Sequence, residues 1–84
     1  MVYEVRTRGV CAQAVRFEVE DNIVQKVDFI GGCSGNTQGV ARLAEGMSVD
    51  MVIGKLRGIH CGRKPTSCPD QLAQALEQMK AENE

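Results

Sequence analysis

The sequence has no Trp, one Tyr and two Phe among its 84 residues. A core must therefore be assembled from Val, Ile, Leu, Met and Ala, without large rings to organise it. Apolar runs stop after a few residues, which excludes a helix that spans a bilayer. An excess of one charge sign is also missing. The net charge is −1, which removes any general electrostatic drive toward nucleic acid or a membrane surface. The run Met1-Val2-Tyr3-Glu4-Val5-Arg6 lacks the charged-then-apolar pattern of a secretory signal, so a cytoplasmic chain is expected. No linker, repeat or low-complexity segment interrupts the chain, and a single domain over residues 1–84 follows. Catalytic patterns are absent as well. There are no paired carboxylates and no zinc-hydrolase helix. Gly31-Gly32-Cys33-Ser34-Gly35-Asn36 is not followed by the Gly-Lys-Ser/Thr of a P-loop. The single histidine, His60, has Cys61 as its sequence neighbour, and adjacent residues rarely make a catalytic pair. No residue is assigned a catalytic role.

What is present is hydrophobic alternation, glycine punctuation and four cysteines. A chain this short buries only about 60% of its unfolded surface, so an internal staple would help it. The first thirty positions alternate with period two: Tyr3, Val5 and Thr7, then Val15, Phe17 and Val19, then Val27 and Phe29. Three half-buried strands are predicted, with turns at Gly9 and around Asp21-Asn22-Ile23. Asn22 is the residue expected to tolerate a left-handed backbone. A shared core face requires Phe17 to pair with Val27 and Val15 with Phe29. That register sets Glu18 opposite Lys26 and Arg16 opposite Asp28, both favourable cross-strand pairs. Continued toward the open end, it sets Cys11 opposite Cys33. For the first strand, pairing Val5 with Val15 brings Glu4 to Arg16 and Tyr3 to Phe17. This is preferred to a register that opposes Arg6 and Arg16.

Beyond Phe29 the period changes. A glycine-rich loop is expected over 31–36. Val40, Leu43, Ala44 and Met47 follow at helical spacing, with Gly46 as a stop. Ser48 can cap a second helix with Asp50 in its first turn and Val49, Val52, Ile53 and Leu56 on its apolar stripe. Gly58 ends that helix, and Gly54 within it hints at close packing. A third helix starts around Ser67-Cys68-Pro69-Asp70, where Pro69 suits the first turn and Ser67 with Asp70 resembles a capping box. Its buried face is Leu72, Ala73, Leu76 and Met79, with Glu77, Lys80 and Glu82 toward water. The expected fold is α+β: a three-stranded antiparallel sheet packed by about three helices.

The cysteines are spaced C-x21-C-x27-C-x6-C. Without an oxidising compartment, four cysteines read as metal ligands or redox groups rather than structural disulfides. Cys33 precedes one predicted helix, Cys68 lies at or beside the start of another, and Cys61 is in the loop leading to it. Helix N-termini favour the thiolate that ligation requires. One site holding Cys11, Cys33, Cys61 and Cys68 around zinc or an iron–sulfur cluster is therefore expected. Two other uses stay open: buried small apolar residues for Cys11 and Cys33, and an exchanging dithiol for Cys61 and Cys68. His60 is a secondary ligand candidate, more readily read as a surface or hydrogen-bonding residue. Arg57, Arg63 and Lys64 form a basic cluster that either complements a helix C-terminus or contacts an anion.

Thr66-Ser67-Cys68-Pro69-Asp70 spells the motif that names the TSCPD domain family. The chain resembles that family further in Gly31-Gly32-Cys33-Ser34-Gly35-Asn36-Thr37-Gln38-Gly39, in Leu43 with Gly46, in Gly58-Ile59 with Cys61-Gly62, and in Asp70-Gln71-Leu72-Ala73. The family occurs as small standalone proteins and at the C-terminus of vitamin B12-dependent ribonucleotide reductases. The resemblance implies zinc or iron–sulfur binding by cysteines that match Cys11, Cys33, Cys61 and Cys68. It also implies a link to ribonucleoside-diphosphate reductase, with cobalamin only through that association. Eighty-four residues cannot enclose a nucleotide, a cobalamin and a radical cysteine together. The expectation is an accessory module that docks on a reductase subunit or relays thiols to it, with a dithiol redox protein and an iron–sulfur scaffold or sensor as alternatives. A looser likeness joins Val27-Asp28-Phe29-Ile30-Gly31-Gly32-Cys33 to iron–sulfur assembly scaffolds, with the spacing offset by one residue.

Overall fold

A computed structural model describes residues 1–10, 12–31, 34–60 and 62–83, with the side chains of Ser34, Gly35, Asn36 and Asn83 left out of the account. Three strands, β1 (Val2–Arg6), β2 (Ala14–Glu20) and β3 (Ile23–Ile30), are followed by three helices, α1 (Ser34–Ala44), α2 (Val49–Leu56) and α3 (Cys68–Asn83). The strands form one antiparallel sheet in the order β1-β2-β3. This is the expected α+β architecture. Among the described residues, no helix is long and apolar enough to cross a membrane.

The registers are those that the side-chain pattern requires. Val5 pairs with Val15, Glu4 with Arg16 and Tyr3 with Phe17. Val15 pairs with Phe29, Phe17 with Val27, Arg16 with Asp28 and Glu18 with Lys26. The rings of Tyr3 and Phe17 stack at 5.4 Å. Arg16 commits its guanidinium to Glu4 at 2.8 Å, across β1–β2. The β2–β3 turn is tighter than expected. A bulge between Glu18 and Val19 shifts the pairing by one, so Ile23 already belongs to β3. Only Asp21 and Asn22 remain as turn, both left-handed at φ 51° and 63°. That is the two-residue hairpin whose twist matches the strands. Beyond the strands, the Gln13 N–H donates to the Ile30 carbonyl at 2.7 Å, one residue off the Ala14–Ile30 register, so the ladder slips by one at this end. The expected opposition of Cys11 and Cys33 lies outside the described residues.

The α1–α2 connection is stitched back onto the sheet. Val24 donates to the Met47 carbonyl at 2.8 Å, Gly46 to the Val24 carbonyl at 2.7 Å, and Val49 to the Asn22 carbonyl at 2.9 Å. Gly46 is left-handed (φ 89°), as a helix stop requires. Ser48 caps α2 by accepting from the Met51 N–H at 3.1 Å. The helices lay their apolar faces on the sheet, so Phe17, Val15 and Val24 are fully buried with Val49, Val52, Leu72 and Leu76.

Three local expectations are corrected. The glycine-rich loop is shorter than 31–36, because residues from Ser34 are already helical. The inward face of α1 is Thr37, Ala41 and Ala44, whereas Leu43 is 77% exposed. Small residues allow a helix to lie close to a sheet, and here they displace the bulkier stripe. Gly54 is not a close contact either. A Cβ there would meet nothing within 4 Å, and its cost is only that of glycine inside a helix.

Leu76→Ala is expected to cost about 2–5 kcal/mol and Leu43→Ala to stay within about 0.5 kcal/mol, measured by urea unfolding. Gly54→Ala should raise stability by about 0.4–1 kcal/mol.

Candidate metal centre

The run Thr66-Ser67-Cys68-Pro69-Asp70 folds as the start of α3. Cys68 is its first residue and is 6% exposed. Ser67 caps the helix: its Oγ accepts from the Asp70 N–H at 3.2 Å, and its carbonyl accepts from the Gln71 N–H at 2.8 Å. A reciprocal capping box would turn the Asp70 carboxylate back toward Ser67. It goes elsewhere. Asp70 is 1% exposed and accepts from the Thr66 hydroxyl at 2.5 Å, the Gly58 N–H at 2.7 Å and Gln74 Nε2 at 2.7 Å. Arg57 approaches it at 3.3 Å and reaches Glu77 at 2.5 Å. Burial pushes the Asp70 carboxyl up, but the hydrogen bonds from Thr66, Gly58 and Gln74 and the Arg57 charge outweigh it. The carboxyl is held below its ordinary value.

These and neighbouring bonds tie two loop segments to the helix start that bears Cys68. The segment before residue 61 is fastened to the start of α3 by Gly58 on Asp70 and by the Ser67 hydroxyl on the Ile59 carbonyl at 2.7 Å. The left-handed Gly58 (φ 90°) gives the turn that makes this reach possible. The segment before residue 11 meets the same helix start. The Arg8 N–H donates to Gln71 Oε1 at 3.1 Å, Gln71 Nε2 donates to Thr66, and a Cβ on Gly9 would lie 3.4 Å from Thr66 Cγ2. The segment after residue 11 is closed by the Thr7 hydroxyl on the Ala12 carbonyl at 2.5 Å. It also joins the segment before residue 32, through Gln13 on Ile30 and the Gln13 side chain against Gly31.

Of the four candidate ligands, Cys68 is described, and Cys11, Cys33 and Cys61 lie outside the described residues. Among the described residues no group of three or more His, Cys, Asp or Glu side chains could hold a metal. His60 is exposed. The basic cluster is split: Arg57 is spent on Asp70 and Glu77, while Arg63 and Lys64 are exposed. Asp70 has a wider part than the helix start that its spacing suggests. The usable signal was the polar run Thr66, Ser67, Asp70, Gln71 and Gln74 at the mouth of an otherwise apolar helix face, too many acceptors and donors for one cap.

A family model described as TSCPD domain matches residues 1–80. No match to a curated protein or to a solved structure was found.

Asp70→Asn should cost about 1–3 kcal/mol for each buried donor left without its acceptor. Arg57→Gln, on a half-exposed side chain, should cost less than about 1 kcal/mol. Urea unfolding of the two variants at neutral pH checks the order.

Proposed function

The chain belongs to the TSCPD domain family, and from that membership we propose a small metal-binding module in which Cys11, Cys33, Cys61 and Cys68 hold one zinc ion or one iron–sulfur cluster. The observation that carries this reading is the set of ties around Cys68. Described residues flanking positions 11 and 61 are each bonded to the helix start that bears Cys68, and those flanking positions 11 and 33 are bonded to each other. The donor set suits either group, since four thiolates fit tetrahedral zinc or a cluster. Cys68 is buried at the first residue of a helix, where N–H groups favour the thiolate. Ser67 and Asp70 orient the 57–60 segment, and Thr66 and Gln71 orient the 8–9 segment. When bound, zinc would supply a cross-link that stabilises the fold, and a cluster would supply electron transfer.

The partner proposed for this module is a ribonucleoside-diphosphate reductase, with the chain acting as an accessory part. Its body measures 34 × 21 × 20 Å, too small to enclose a nucleotide, a cobalamin and a radical site. Cobalamin would belong to the reductase, not to this chain. A dithiol relay through Cys61 and Cys68 draws on the same Ser67–Ile59 tie.

Cys68→Ser should lower metal content and stability together. The melting midpoint should drop by at least about 4–8 °C, the shift that 1 kcal/mol produces in a domain of this size. Full occupancy with an unchanged midpoint would sink the four-cysteine site. Thiol titration separates the relay. Thiols shielded by metal react slowly until a chelator is added, whereas a reversible Cys61–Cys68 disulfide in metal-free protein would favour exchange.

A further inference from the structure

A second site lies on the outer side of β1. A cleft of about 480 Å³ opens between β1 and α3, lined by Val5, Arg6, Arg8, Gln71, Ala75 and Gln78. Its apolar floor is Val5 and Ala75. Among the described residues, neither Arg6 nor Arg8 enters an ion pair. The nearest acidic candidate on β1, Glu4, is taken by Arg16, and the Asp70 carboxylate is buried and committed. The charge is not local accident. Residues 6–13, 30–38 and 57–67 contain no Asp or Glu and, besides Arg57, which is paired with Asp70 and Glu77, hold Arg6, Arg8, Arg63 and Lys64. The opposite end of the molecule carries Glu20 and Asp21 at the hairpin turn. A net charge of −1 thus conceals a cationic end.

The strand beside the cleft has an open side. β1 has β2 as its neighbour, and no strand of this chain pairs with its other edge among the described residues. Such an edge accepts an added strand from another protein. Arg6 ends β1, Arg8 lies two residues beyond it, and both line the cleft. A strand added along β1 presents every second side chain on one face, so carboxylates at alternate positions can reach both arginines. We infer that the β1–α3 cleft docks an extended acidic segment of a partner protein, with Asp or Glu at alternate positions on Arg6 and Arg8 and its backbone laid along β1. The site does not depend on the metal reading. Charged residues on an edge strand also discourage self-association, but that role requires neither a cleft nor a single charge sign.

The test uses the intact chain, fluorescein-labelled peptides that alternate Glu with Val or Lys with Val, and a single-stranded oligothymidine, followed by anisotropy at low salt. The Glu peptide should bind in preference to the Lys peptide, weaken as salt is raised and slow amide exchange along Val2–Arg6. Arg6→Glu with Arg8→Glu should weaken it about tenfold or more. Lys26→Glu with Arg42→Glu, the same change in net charge elsewhere, should leave it unchanged. Should the double variant fail to fold by circular dichroism, Arg6→Gln and Arg8→Gln singly should each weaken binding about two- to fivefold. Equal loss in the Lys26/Arg42 control, no peptide binding, unchanged β1 exchange, or tighter binding of the oligothymidine would each overturn the proposal.

Discussion

Asp70 keeps a charged carboxylate inside a domain with little interior to spare. It does so because donors from three directions converge on it: a hydroxyl from the residue run that precedes the helix, a main-chain N–H from the end of α2, and a carboxamide one turn along α3. A buried charge without such partners would be strongly unfavourable. With them, it becomes a fixed point to which loops distant in sequence are bound. Ser67 adds the second fastening through Ile59, and Thr66 and Gln71 add the third through Arg8 and Gly9. The TSCPD motif is thus a junction. Its Thr, Ser and Asp hold the neighbouring segments, and its Cys is the residue for which the metal role is proposed.

The sheet supplies the other half of the arrangement. Because β2 and β3 pair in one unbroken register from Glu18–Lys26 to Ala14–Ile30, the bulge is confined to the turn end. The other end carries its own shift, since the Gln13 N–H bonds to Ile30, the residue that Ala14 already opposes. The turn end is also where α1 and α2 are fastened, through Val24, Met47 and Val49. One end of the sheet anchors helices and carries acidic residues. The other carries the segments that lead toward positions 11 and 33, with Arg6 and Arg8 outside any ion pair among the described residues.

Much of this was legible in the sequence where the determinant is local or periodic. The strand registers followed from Phe17, Val27, Val15 and Phe29 having to share one face. The caps followed from Ser48, Gly46 and Ser67. The buried stripe of α3 followed from Leu72, Ala73, Leu76 and Met79. What was not legible depends on tertiary distance. Leu43 fits a helical stripe, yet closeness to the sheet selects Thr37, Ala41 and Ala44 instead. Gly54 suggests tight packing but faces open space. The reach of Asp70 to Gly58 spans a loop of unknown course until the chain is folded. For the candidate site, the sequence supplied the four cysteines and the placement of Cys68 at a helix start. It did not supply the polar junction that ties the loops around it.

The proposed metal centre requires the polar junction to gather the segments that bear the four cysteines, so that four thiols serve a single metal group. Elemental analysis of protein purified without oxygen tests it most directly. The prediction is one zinc ion, or the iron and sulfide of one cluster, per chain, with all four thiols shielded until a chelator is added. Protein holding only trace metal, with its thiols all reacting at once, would contradict it.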